Sequence, residues 1–126
     1  MTWPRFGATT FHPNGCVEVN LGDASYNSPE GARAMLNCAA VVKAAKGDSP
    51  MFINPTLSEE DRLVIAKASQ LANVNIVNAP EKTLDEVNPA LAKKMEAAWA
   101  EMIQAIKQVI IKTVRMTRDK LLPVLR

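Results

Sequence analysis

The sequence has few of the side chains that carry most catalytic and metal-binding chemistry. It holds one histidine, His12, and two cysteines, Cys16 and Cys38, without the paired spacing of a zinc site. His12 precedes a Pro-Asn-Gly turn, where an exposed residue is expected, and both cysteines are interpreted as small buried hydrophobic side chains. We therefore expect no enzymatic activity, no metal and no cofactor.

Long apolar runs and glycine-rich motifs are also missing. No stretch of about 18 uncharged apolar residues is present, which argues against a transmembrane helix. The first residues lack the basic and apolar pattern of a secretory signal, and no G-x-G-x-x-G or Walker motif occurs. We expect a cytoplasmic protein or a part of an assembled particle.

Charge is unevenly distributed along a chain that is otherwise ordinary in composition. Hydrophobic residues make up 48% of the sequence, enough for a core, although aromatic residues reach only 5%. Residues 1–92 hold 7 Lys and Arg against 10 Asp and Glu, whereas residues 93–126 hold 8 against 3. The C-terminal part is therefore basic and the remainder acidic.

Turn and cap residues divide the first 88 residues into alternating strands and helices. Residues 5–11 and 16–21 flank the Pro-Asn-Gly turn and predict a hairpin, and Ser28 and Ser58 each start a predicted helix. Short apolar runs at 51–54 and 74–77 predict two buried strands, and residues 81–87 a helical turn.

This element order predicts an α/β fold. We expect a small three-layer domain over residues 1–88, with a mostly parallel sheet built from a β-hairpin followed by βαβαβ. A long C-terminal α-helix, starting at Asn88-Pro89, forms the second predicted region, residues 89–126.

The predicted parallel sheet suggests one ligand site. Ligands of such sheets bind outside the carboxyl ends of the strands, where polar side chains follow in this sequence. A candidate ligand crevice is formed by Asp23, Ser25, Asn54, Thr56 and Asn78. Polar loop residues that only form turns are the alternative interpretation.

Asn54-Pro55-Thr56, followed by a predicted helix, a strand and a proline, resembles the autocleaving cytoplasmic domain of type III export switch proteins. In that family the motif continues with His, where this chain has Leu57. Self-cleavage is therefore not inferred for this chain.

The most informative segment is residues 89–122, which contain no internal Gly or Pro and predict a helix about 50 Å long. One broad side is apolar almost throughout, wider than a simple coiled-coil seam, and predicts an oligomer or partner interface in a multi-helix bundle. Its residues are Met95, Trp99, Met102, Ile103, Ile106, Val109, Ile110, Val114 and Leu121. The same helix of other subunits, a different protein or lipid are the possible coverings.

Basic side chains near the end of this helix predict a second kind of contact. One interpretation is contact with a polyanion, such as nucleic acid or an anionic membrane surface, or with an acidic surface of a partner. A solvated helix face is the other interpretation. The candidate residues are Lys107, Lys112, Arg115, Arg118 and Lys120.

Three functional hypotheses follow. The first is a non-enzymatic structural or assembly subunit that homo-oligomerises through the long helix, including a component of a virion or another large particle. The second is a small α/β ligand-binding protein or enzyme that uses the predicted crevice. The third is an adaptor that binds nucleic acid or membrane through the basic helix.

Overall fold

The computed structural model describes residues 8–21 and 24–125, with side chains as far as Arg115. The chain divides into two units, Met1–Glu96 and Ala97–Arg126. The elements are β1 (Ala8–Phe11), β2 (Val17–Asn20), α1 (Pro29–Lys46), α2 (Glu59–Ala72), α3 (Leu84–Val87) and α4 (Pro89–Leu125). Helices therefore make up most of the described chain, and α4 begins in the first unit.

The predicted hairpin is confirmed over the described residues. Strands β1 and β2 pair antiparallel, with Ala8 opposite Asn20 and Phe11 opposite Val17. The Gly15 N–H donates to the His12 carbonyl at 3.0 Å, and Gly15 has a φ of 90°, which favours glycine. Residues 5–7 of the predicted first strand lie outside the described residues.

The predicted three-layer α/β fold with a mostly parallel sheet is wrong. Among the described residues the only sheet is the two-stranded hairpin, and the first unit is a small helix-dominated domain. The two apolar runs that were expected to form central strands lie side by side in parallel, but they form only an isolated bridge between Met51 and Ile76.

Prolines and an asparagine side chain explain why this bridge does not extend into strands. Backbone pairing consists of Met51 N–H to the Asn75 carbonyl at 2.7 Å and Val77 N–H to the Met51 carbonyl at 2.9 Å. At the next position the Asn78 side chain replaces the backbone, accepting from Ile53 N–H at 2.7 Å and donating to its carbonyl at 2.8 Å. Pro50 and Pro55 on either side lack the N–H that a ladder needs.

The predicted starts of α1, α2 and α4 are confirmed, because Ser28, Ser58 and Asn88 each accept a backbone N–H three residues on. Thr83 caps α3 in the same way, so this helix begins at Leu84 and not at residue 81 as predicted. Gly47, with a φ of 59°, caps the end of α1 as expected. Helix α4 continues to Leu125, three residues beyond the predicted end.

Helices α1 and α2 run side by side in the same direction and form the centre of the core of the first unit. The two helices begin close together, where the side-chain amide of Asn27, just before α1, donates to Glu60 in the first turn of α2 at 2.8 Å. Beyond their last turns the Asn75 amide donates to the Asp48 carbonyl at 3.3 Å. The largest fully buried side chains of the core are Leu36, Cys38, Leu63, Val64 and Met95.

A close backbone contact fixes the start of α1. A Cβ atom on Gly31 would overlap the Ser25 carbonyl oxygen, which also accepts hydrogen bonds from the Ser28 N–H and hydroxyl. Only glycine lets this loop carbonyl lie against the helix, so the entry to α1 depends on the missing side chain.

Replacing Gly31 with alanine therefore should destabilise the protein by about 3 kcal/mol, because the methyl group meets backbone that has to move. Elsewhere inside a helix the same change stabilises by about 1 kcal/mol. Urea unfolding, monitored by circular dichroism, measures the difference in the free energy of unfolding between the variant and the parent. The control, Ala44→Gly at an exposed position of α1, should lose about 1 kcal/mol. A Gly31→Ala variant as stable as the parent would contradict the close approach of the Ser25 carbonyl to Gly31.

Candidate functional site

The residues of the predicted crevice are held in local hydrogen bonds. The Ser25 hydroxyl donates to Asn27 at 3.0 Å, and the Asn54 side-chain oxygen accepts from the Thr56 N–H and hydroxyl at 3.0 and 2.8 Å. Asn78 is bonded to the backbone of Ile53. Asp23 lies outside the described residues. The crevice as a ligand site stays a prediction.

A small pocket in the first unit is lined by other residues. It holds about 120 Å³ and is formed by Asn27, Glu60, Leu63, Leu84, Val87 and Asn88. Most small-molecule sites enclose about 300–1,000 Å³, so this pocket is too small for a drug-sized ligand.

A buried lysine joins three helices of the first unit. The Lys67 side chain on α2 is 6% exposed, and its ammonium group lies 2.7 Å from Glu96 on α4 and 3.1 Å from Asp85 on α3. Both carboxylates are half-exposed. This ion cluster ties the first turns of α4 to the α2–α3 pair.

The pKa of Lys67 reports a balance between burial and its partners. Burial alone lowers the pKa, but the hydrogen bonds to Glu96 and Asp85 and their negative charges raise it above the ordinary value for lysine. The sequence carried one signal of burial: Lys67 lies three and four residues from Val64 and Leu63 on the apolar face of α2. Its partners, however, are far away in sequence.

The two cysteines differ in environment. Cys38 is buried, as expected, and burial raises the pKa of its thiol although a hydrogen bond with the Thr9 side chain acts in the opposite direction. A thiol held protonated in this way is a weak nucleophile. Cys16 is exposed, so the prediction that it is buried is wrong.

Exposure of the predicted interface residues increases along α4. Met95, in the first unit, is buried, and Trp99, Met102 and Ile103, in the second unit, are half-buried. The four that follow are exposed: Ile106 (51%), Val109 (63%), Ile110 (55%) and Val114 (59%). We call these four residues the distal stripe. The Leu121 side chain lies outside the described residues.

Basic side chains accompany the distal stripe. Lys107, Lys112 and Arg115 are exposed, whereas the side chains of Arg118 and Lys120 lie outside the described residues. Polyanion binding by this group stays a prediction.

Neither a metal cluster nor a membrane span is found in the described part of the chain. Within residues 8–21 and 24–115, no group of three or more His, Cys, Asp or Glu side chains is arranged to hold a metal ion. None of the helices described between residues 8 and 125 combines the length and the apolar character that crossing a membrane requires. Comparison with protein-family models, curated proteins and solved structures finds no match.

The raised pKa of Lys67 predicts a loss of stability at alkaline pH. The cluster contributes fully below the unfolded-state pKa, about 10.4, and its contribution is lost as the pH rises through the higher folded-state value. Tyr26, whose pKa is raised by burial and by the nearby Asp61 and Cys38, acts in the same direction. Comparing the parent with a Lys67 variant isolates the share of this stability loss that comes from Lys67.

Replacing Lys67 with methionine fills the same space without a charge. At neutral pH this variant should lose about 1–2 kcal/mol, because both freed carboxylates are half in water. Above pH 10.4 or so its free energy of unfolding should fall less steeply than that of the parent. The exposed control Lys94→Met keeps the cluster and should keep the alkaline fall. If the free energy of unfolding falls equally steeply with pH in the parent and in Lys67→Met, the alkaline loss of stability does not come from Lys67.

Proposed function

We propose that this protein is a non-enzymatic assembly subunit that associates with further copies of itself through the distal stripe of α4. The observation that carries the proposal is that Ile106, Val109, Ile110 and Val114 are each at least half-exposed on one helix. The partner to which we commit is a second copy of the chain.

The spacing of the stripe places its residues on one side of α4. Positions 106, 109, 110 and 114 follow the three- and four-residue intervals at which helical side chains are neighbours. Thr113, which lies on the same side, donates its hydroxyl to the Val109 carbonyl at 2.9 Å. This bond satisfies the hydroxyl within the helix, so Thr113 adds little polarity to the stripe.

Covering these side chains is favourable. Complete burial of a valine or isoleucine contributes about 1.5–3 kcal/mol relative to full exposure, and the stripe residues begin about half-covered. Single exposed apolar residues are common on protein surfaces, but contiguous apolar patches mark interaction sites. Four neighbouring branched side chains therefore indicate an interface.

Charge favours a second copy as the partner. The exposed side chains of residues 106–115 include Lys107, Lys112 and Arg115 and no acidic residue. Residues 1–92 have more acidic than basic residues, 10 against 7. Another copy of the chain therefore supplies acidic surface, and opposite charges favour encounter and orientation.

The test is the absolute mass of the full chain, measured by light scattering at several concentrations. We expect the parent to form a defined oligomer, and the Ile106→Gln/Ile110→Gln variant to shift towards the 13.7 kDa monomer. The control, Gln104→Ala/Gln108→Ala, changes exposed polar residues of the same helix and should match the parent.

A parent chain that stays at 13.7 kDa at every concentration would overturn the proposal. In that case, binding of the chain to anionic vesicles or to nucleic acid would assign the stripe and its basic neighbours to a different partner. Loss of association in the control variant as well would show that the stripe has no special role.

A further inference from the structure

The turn of the hairpin contains the only Asn-Gly pair of the sequence, Asn14-Gly15. We propose that Asn14 is a site of spontaneous deamidation, at which the backbone nitrogen of Gly15 attacks the side-chain amide. The co-reactant is water, and the products are aspartyl and isoaspartyl residues at position 14. This modification is independent of the proposed self-association.

The residue after Asn14 leaves the attacking nitrogen accessible. Gly15 has no side chain and a φ of 90°, and among the described residues the space where a side chain would start is open. Every other asparagine of the sequence precedes a residue with a side chain, and Asn54 and Asn88 precede proline, which has no N–H to give up. Asn14 is therefore the asparagine with the least steric hindrance to attack.

The Asn14 side chain is folded back along the backbone towards the attacking nitrogen. Its Oδ1 accepts from the Cys16 N–H at 3.0 Å, which forms an Asx turn across Gly15. The amide carbon, which is bonded to Oδ1, is thereby held close to the Gly15 nitrogen, as attack requires. The Cys16 N–H is also placed to stabilise the negative charge that develops on Oδ1.

Water has access to the turn, since Asn14 and Gly15 are both exposed. The Gly15 N–H donates to the His12 carbonyl at 3.0 Å, and this bond is lost when the nitrogen gives up its proton. Water replaces an exposed hydrogen bond at a small net cost. The bond to His12 therefore slows the attack but does not prevent it.

The reaction balances with water alone. The Gly15 nitrogen gives up its proton and forms a bond to Asn14 Cγ, and Nδ2 takes up a proton and leaves as ammonia, which closes a succinimide ring. Water then breaks one of the two bonds between the ring nitrogen and its carbonyl carbons. Breaking the bond to Cγ gives aspartate, whereas breaking the main-chain bond gives isoaspartate, in which the chain runs through the side-chain carbonyl. Nothing is oxidised or reduced.

The isoaspartyl product changes the connection between the two strands. The loop is closed by the His12 N–H, which donates to the Cys16 carbonyl at 2.9 Å, and strand pairing starts at Phe11 and Val17. Isoaspartate adds one carbon to the main chain inside this loop, and the length of the turn sets the register of a hairpin. The hairpin of the isoaspartyl form should therefore be loosened.

The experiment incubates the folded full chain at mildly alkaline pH and follows each asparagine by peptide mass spectrometry. The peptide that contains residue 14 should gain about 1 Da, the difference between the water gained and the ammonia lost. Its amide should be lost about tenfold or more faster than those of Asn73 and Asn75, which precede the branched residues Val74 and Ile76. The same chain in urea provides the rate for an unfolded turn.

The matched variant is Asn14→Ser, whose hydroxyl can accept from the Cys16 N–H but which has no amide to lose. Its peptide should keep its mass. If Asn14 of the parent reacts in urea but keeps its amide in the folded chain, the turn protects it and the proposed site is overturned. Loss no faster than at Asn73 and Asn75 would overturn it as well.

Hydrogen exchange tests the effect on the hairpin. The isoaspartyl form, separated by its added negative charge, should exchange the amides of β1 and β2 faster than the Asn14→Asp variant, which has the same charge and an ordinary main chain. The amides of α1 and α2 should exchange equally in both. Equal exchange in the strands would overturn the loosening of the hairpin by isoaspartate.

Discussion

The apolar side of α4 is the constraint on which the rest of this structure depends. Within the first unit, the chain itself covers the beginning of that side, since Leu91, Ala92 and Met95 are buried. The same helix carries Ile106, Val109, Ile110 and Val114 exposed to water. A single helix therefore contributes to the core at its start and leaves apolar side chains exposed further on, where burial by a partner would be favourable.

The first unit is organised to hold the start of that helix in one place. Lys67 reaches from α2 to Asp85 and Glu96, so the three helices share one buried charge whose partners keep it protonated. Removing one partner leaves charge without its counterpart, whereas replacing all the charged members together with apolar residues of similar volume is tolerated better. The cluster therefore fixes how α2, α3 and the first turns of α4 meet, next to the pocket lined by Leu84 and Val87.

Local chemistry in the sequence predicted the hairpin and the helix starts, because the turn at Gly15 and the caps at Ser28 and Ser58 act within a few residues. The absence of a parallel sheet was not predictable in this way. Hydropathy alone marks residues 51–54 and 74–77 as strands, but the Asn78 side chain ends their backbone pairing. Periodicity identified the apolar side of α4 but could not show which part the chain covers itself. Burial of Lys67 depends on partners distant in sequence.

Hydrogen exchange of the backbone amides in residues 104–115, compared between dilute and concentrated solutions of the parent chain, tests the central claim most directly. If copies of the chain cover the distal stripe, exchange in this segment should slow as concentration rises, while exchange in the hairpin strands stays unchanged. Exchange in residues 104–115 that is independent of concentration would contradict self-association through the stripe.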